Sequence, residues 1–162
     1  MNWDELFMTI VYTVASKSKD NNTHVGAVIV GDKNEIRSTG YNSFVRGADD
    51  FSRVRQERPE KYFWFEHAER NAIYNACLIG VSLDGCRMYT NGTPCMDCAR
   101  GIVQSGIKEV IVDESWDKKH SRLWKEHHSR TSMLFMECGV SLRTIKFSIP
   151  SIKKYCDGGM YE

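Results

Sequence analysis

The sequence predicts an α/β fold: a three-layer α/β/α arrangement around a mixed five-stranded sheet, formed as one domain over residues 1–162. Three observations predict it. The apolar run Val25-Gly26-Ala27-Val28-Ile29-Val30, the turn Gly31-Asp32-Lys33-Asn34 and a second strand from Glu35 to Tyr41 make an antiparallel hairpin. Beyond residue 66, short strands alternate with helical segments, which implies parallel pairing through crossover helices. No repeat or linker divides the chain, and 162 residues is an ordinary length for one domain.

Residues 2–17 read as an amphipathic helix. Asn2 can cap it, Asp4 and Glu5 suit its first turn, and Trp3, Leu6, Phe7, Ile10, Val11 and Val14 recur at helical spacing. Residues 17–22 are a polar loop ahead of the hairpin. From Asn42 to Tyr62 the chain is charged and aperiodic, and residues 43–66 are assigned as an insertion loop. Residues 66–79 are helical, with Ala68, Ala72, Ile73, Ala76 and Leu78 as the apolar side and Gly80 as the stop. Strand 86–90, helix 95–105, strand 109–113, helix 121–138 and strand 140–147 follow, and 148–162 reads as a loose tail.

The 41% hydrophobic content suffices for a core, and the formal charge is +1. Non-specific nucleic-acid binders carry a basic balance or stripe. This chain shows neither, so a small-molecule substrate is expected and a nucleic-acid partner is not. The N-terminus has no basic region with a long apolar run, and no stretch approaches the ~18 apolar residues of a membrane span. The expectation is therefore a cytoplasmic location, no membrane partner and six reduced cysteines, with Cys77, Cys86 and Cys138 as small packing residues.

The chemistry lies in two short segments, His67-Ala68-Glu69 and Pro94-Cys95-Met96-Asp97-Cys98. His67, Cys95 and Cys98 are three donors for a tetrahedral Zn²⁺. Three protein ligands leave one corner for water, as catalytic sites do. Pro94 suits the start of a helix, and Cys95 and Cys98, three apart, share one face of its first turn, where the helix N-terminus favours thiolates. His67 and Glu69 are two apart, roughly 200° around a helix. They cannot chelate one ion side by side, but they can border one pocket. Glu69 is thus the candidate base and acid, taking a proton from water and passing it on. The Ala68 N–H and the backbone around Thr93 are candidates to read the substrate's amine and carbonyl edge. A purely structural zinc would need a fourth protein ligand, from His24, His120, His127, His128 or Cys86, and would have no use for Glu69.

The paired H-x-E and P-C-x-x-C segments are those of the zinc deaminases of nucleobases. Ser18-Lys19-Asp20, the run 25–30, Gly40-Tyr41-Asn42, His67-Ala68-Glu69-Arg70-Asn71-Ala72-Ile73 and Gly106-Ile107-Lys108-Glu109-Val110 extend the likeness over roughly residues 5–147. The chain resembles the deoxycytidylate (dCMP) deaminases of the cytidine deaminase superfamily. The resemblance implies a cytidine deaminase-like fold and hydrolysis of dCMP to dUMP and ammonia. It also implies a homo-oligomer, usually a hexamer, activated by dCTP and inhibited by dTTP, with Mg²⁺ accompanying the triphosphate.

By the same resemblance Gly40, Tyr41 and Asn42 bind the effector, Asn42 holds the deoxyribose 3′-hydroxyl and Val25 packs on the base. Taken alone, Gly40 reads as an ordinary strand-end glycine and Tyr41 as a core aromatic, while Val25 is equally plain core. Some family members hold a second, structural zinc in the insertion; residues 43–66 contain neither Cys nor His, so none is expected there. Glu66 either accepts from the second ring nitrogen of His67 or is a solvated acid in the helix's first turn. Residues 113–124 follow a strand's carboxyl end, where α/β folds bind ligands. There Trp116 can wall the base, and Lys118, Lys119 or Arg122 can face a phosphate; equally, the segment reads as a charged, solvated loop leading into a helix. The alternatives are a tRNA adenosine deaminase, which needs a basic surface, and a free cytidine deaminase, which needs no phosphate grip.

Overall fold

The computed structural model describes residues 1–148 and 151–161, with side chains at all of these except 121–124 and 161. Its first helix, α1 (Trp3–Ala15), carries a capping box: the Asn2 side chain accepts from the Glu5 N–H at 2.9 Å, and Glu5 Oε2 accepts from the Asn2 N–H at 2.8 Å. Phe7, Met8, Val11, Tyr12 and Ala15 form its buried stripe, whereas Trp3, expected on that stripe, is 56% exposed.

Strands β1 (Gly26–Val30) and β2 (Ile36–Tyr41) form the expected antiparallel hairpin. Strands β5 (Arg87–Thr90), β6 (Glu109–Asp113) and β7 (Ser141–Ile145) complete a sheet of order β2-β1-β5-β6-β7. The β1–β5 pair is antiparallel, and β5–β6 and β6–β7 are parallel. This is the mixed five-stranded sheet that the hairpin and the strand–helix alternation predict.

The period of two along β1 sorts its side chains between two cores. Ala27 and Ile29 pack with Ala68, Ala72 and Ala76 of α3 (Ala68–Ile79) and with Ala99 and Ile102 of α4 (Met96–Gln104). Val28 and Val30 face the opposite layer, where Phe7, Met8 and Val11 of α1 cover the sheet. Small residues on α3 let it lie close to the sheet. At Gly40 the approach is so tight that a Cβ would fall 2.3 Å from the Ala72 N and 2.4 Å from the Ala68 O. Two short strands, β3 (Ser43–Phe44) and β4 (Phe65–Glu66), close the ends of the insertion against each other, with the short helix α2 (Lys61–Trp64) just before β4.

Three regions differ from the sequence reading. Helix α5 runs Glu114–Cys138, beginning seven residues before the expected start at 121. Asp113 is its N-cap, accepting from the Ser115 N–H at 2.9 Å, so a segment that reads as charged loop is the first two turns of a helix. Residues 154–161 form a hairpin, β8 (Lys154–Cys156) and β9 (Gly159–Tyr161), rather than a loose tail. Asp157 and Gly158, both at positive φ (51° and 77°), make its turn. Lys154 anchors it: the 2% exposed ammonium donates to Asp113 Oδ2 at 2.5 Å, Ser115 Oγ at 2.7 Å and the Phe147 carbonyl at 3.1 Å, while the Tyr12 hydroxyl donates to the same Asp113 oxygen at 2.5 Å. Finally, Cys77 and Cys138 are exposed rather than packed, because each lies on the outer side of its helix; Cys86 is buried as expected. No helix among the described residues is long and apolar enough to cross a membrane.

Candidate active site

His67 is the N-cap of α3 and Cys95 the N-cap of α4, so both helices begin at the site. The His67 Nδ1 lies 3.5 Å from Cys95 Sγ and 3.6 Å from Cys98 Sγ. Among the described residues, no other potential ligand joins these three within 4.8 Å of one another. An imidazole and two sulfurs so placed suit Zn²⁺ with one corner left to solvent or substrate. The donors are electrostatically ready for a cation. Cys95 is pulled down to about 3 by the hydrogen bond from Cys98, against burial and with help from His67. Burial, together with the bond to Cys95, pushes the Cys98 thiol well up.

Glu69, in the first turn of α3, is 5% exposed, and Cys98 Sγ donates to its Oε2 at 3.6 Å. Burial raises its affinity for a proton, against the attraction of His67. The carboxyl is dry, next to the metal donors and outside their number.

A cleft of about 940 Å³, including the part open to solvent, meets these residues. Val25, Asn42, Ala68, Thr93 and Trp116 all line it, as do His120 and His128. Ala68 is the first residue of α3, where a backbone N–H has no acceptor within the helix. The Thr93 N–H donates to Asp117 Oδ1 at 2.7 Å, which fixes the turn into α4. Trp116 is 1% exposed and packs edge-on to Tyr12.

Asn42 is fully engaged within the protein. Its Oδ1 accepts from Val25 N at 2.8 Å and Ser18 Oγ at 2.6 Å, and its Nδ2 donates to the Thr23 carbonyl at 2.8 Å and Asp20 Oδ2 at 3.3 Å. Gly40 and Tyr41 are not among the residues lining the cleft. Gly40 sits under α3, and the Tyr41 carbonyl accepts from Asn71 Nδ2 at 2.8 Å.

Several assignments change. Glu66 neither bonds the His67 ring nor stands in solvent. Its Oε1 accepts from the His67 backbone N–H at 3.0 Å and pairs with Arg70. Arg70 in turn reaches Cys98 Sγ with Nη1 at 3.5 Å, a cation on a metal donor that the spacing rules alone did not single out. The i,i+4 spacing of Glu66 and Arg70 was its available signal. His127, a possible fourth ligand of a structural zinc, instead accepts from the Met96 N–H at 3.4 Å and so caps α4.

Among the described residues, the lysine and arginine side chains on the cleft are Arg58 and Lys61, from the 43–66 insertion. Lys118 and Lys119 are absent from its lining; Lys118 pairs with Glu114 at 2.5 Å, and the Arg122 side chain lies outside the described residues. Lys61 Nζ meets Asp20 Oδ2 at 2.6 Å, and the Arg58 guanidinium lies 5.6 Å from the Tyr62 ring centroid.

Residues 1–114 match the family described as the cytidine and deoxycytidylate deaminase zinc-binding region. The chain is 38% identical over 159 residues to the human deoxycytidylate deaminase, covering 95% of this chain and 84% of that one. It is 36% identical over 147 residues to an uncharacterized deaminase from the luxG 3′ region of Aliivibrio fischeri, covering 91% and 96%. Among solved structures, the dCMP deaminase of cyanophage S-TIM5 in apo form superimposes with a TM-score of 0.69 at 22% identity, over 88% of this chain and 96% of that one. The same phage enzyme in complex with dCMP and dUMP gives 0.70 over 87% and 95%, again at 22% identity; at that identity the likeness speaks for the fold. The family match, which spans both zinc segments, and the human relative together establish that this chain belongs to the cytidine and deoxycytidylate deaminases.

Proposed function

We propose that the chain hydrolyses dCMP to dUMP and ammonia. The observation that carries this is the dry Glu69 carboxyl beside the His67, Cys95 and Cys98 donors, on a cleft that also presents Arg58 and Lys61. Zn²⁺, when bound there, lowers the pKa of a coordinated water. Glu69 takes the proton of the attacking water and delivers it to the ring nitrogen beside the exocyclic amine. It then moves a second proton from the new hydroxyl to the amine. The ring carbon gains oxygen, its C–N bond breaks and ammonia leaves. Val25 and Trp116 sandwich the base, and the Ala68 N–H and Thr93 backbone read its edge. Asn42 meets the 3′-hydroxyl by exchanging its longest bond, that to Asp20, and Arg58 and Lys61 take the 5′-phosphate.

The same reading extends to control. dCTP activates and dTTP inhibits, with Mg²⁺ accompanying each triphosphate, through the segment Gly40-Tyr41-Asn42. Gly40 lies against the turn of α3 that carries Glu69, and Asn71 of that helix holds the Tyr41 carbonyl, so a shift of the strand end moves the base. The active species is a homo-oligomer, a hexamer.

A panel of dCMP, deoxycytidine, CMP, cytidine, dCTP and adenosine-bearing tRNA, each followed by ammonia release, tests the assignment. The expected result is turnover of dCMP well above the rest. Preference for deoxycytidine or for tRNA would replace it with one of the alternatives. Rates on dCMP with dCTP or dTTP, with and without Mg²⁺, test control separately, and light scattering of the purified protein tests the hexamer.

A further inference from the structure

We propose that His120, Cys156 and Asp157 form a second divalent-cation site, of the Zn²⁺ class, on the rim of the substrate cleft. Their ligand atoms lie within 4.8 Å of one another, as those of His67, Cys95 and Cys98 do, and the two groups share no residue. One imidazole, one thiol and one carboxylate are borderline donors that suit Zn²⁺ better than the oxygen-seeking Mg²⁺ or Ca²⁺. The segment lies outside the insertion, so it is not the site excluded there for want of Cys and His.

The three donors come from two separate parts of the chain, a helix and a hairpin whose turn is held by bonds made elsewhere. His120 rides on α5, its ring 6.1 Å from that of Trp116. Cys156 is 1% exposed at the end of β8, which Lys154 fastens to Asp113. The hairpin turn is pinned from outside: the Asp157 N–H donates to Thr23 Oγ1 at 3.1 Å and the Gly158 N–H to the Asn22 carbonyl at 2.7 Å. The site is thus assembled before any ion arrives, which lowers the ordering cost of binding.

A proton now occupies the position. Cys156 Sγ donates to Asp157 Oδ2 at 3.5 Å. Binding a divalent cation forms the metal–sulfur, metal–oxygen and metal–nitrogen bonds and releases that thiol proton to solvent, with no change of oxidation state. His120 and Asp157 both face the cleft that Glu69 and His67 face. The ion would therefore fasten the C-terminal hairpin to α5 across the rim, joining two walls that the chain leaves unconnected covalently.

The test is metal stoichiometry, which does not depend on the substrate assignment. The full-length protein is equilibrated with Zn²⁺, freed of excess by gel filtration and analysed for metal. About two equivalents per chain are expected, falling to about one in Asp157→Asn and in His120→Gln. Asp157 is exposed, so its variant is not expected to disturb folding, and circular dichroism checks this. In a Cys95→Ser/Cys98→Ser background, Co²⁺ added alone is expected to give a thiolate-to-metal absorption band that vanishes on adding Cys156→Ser. A wild-type content that saturates at about one equivalent, or a second equivalent that survives both Asp157→Asn and Cys156→Ser, overturns the proposal.

Discussion

The Cys98 thiol donates to the Glu69 carboxylate across 3.6 Å, so the residue that would move protons touches one of the metal's own donors. This contact separates two properties that mutation can test apart. Glu69→Gln keeps size and hydrogen bonding but cannot accept and return a proton. We expect zinc content to stay the same while ammonia release from dCMP falls about 10³-fold or more. Metal analysis beside a rate assay checks it, and substantial residual turnover would remove Glu69 from the mechanism.

Arg58 is the cleft cation that the structure leaves over an aromatic ring rather than in a short ion pair, whereas Lys61 is paired with Asp20. If it meets the phosphate, Arg58→Gln raises KM for dCMP by about tenfold or more and leaves deoxycytidine, which lacks the phosphate, unaffected. Equal losses on both substrates would instead place Arg58 in the scaffold of the insertion.

Gly40→Ala puts a methyl group 2.3 Å from one backbone atom of α3 and 2.4 Å from another, where neither can swing aside. The helix must lift. A loss of about 1–3 kcal/mol is expected in urea denaturation, with a fall in kcat because Glu69 rides on that helix. Unchanged stability would mean that the strand and helix separate more freely than their packing implies.

Tyr89 supplies a pH signature for stability. Burial, and its hydrogen bond to Asp4 at 2.7 Å, push its hydroxyl up to about 12, from about 10 in an unfolded chain. The folded state therefore binds the proton more tightly. This contribution is complete below pH ~10 and is lost as the pH rises from there through about 12. Thermal melts from pH 9 upward are expected to steepen downward in that window, and Tyr89→Phe to flatten the decline; an unaltered slope would assign it to other groups.

Much of the framework was readable in the residues. The hairpin of β1 and β2, the alternation of strands and helices and the two zinc segments follow from period, turn chemistry and ligand spacing, which act locally. What was not readable depended on distant partners. Asp113-Glu114-Ser115 reads as charged loop until Asp113 is seen to cap α5 while it also holds Lys154, 41 residues away. The tail does carry one local signal, since Asp157-Gly158 is a hairpin dipeptide. The placement of ligands at strand carboxyl ends in α/β folds points to the cations after β6, but the insertion folds back and brings Arg58 and Lys61 instead. An aperiodic charged loop gives no hint of which of its charges will face inward.

The bonds that fill Asn42 run on through Asp20, which reaches Lys61 at 2.6 Å. An asparagine at the end of a strand and a lysine on the insertion are thus two ends of one relay. A guest that tugs the first loosens the second, so sugar and phosphate would not be sensed as independent quantities. Discrimination between nucleoside and nucleotide would then be a cooperative property of that relay, and changing either end would alter both preferences at once.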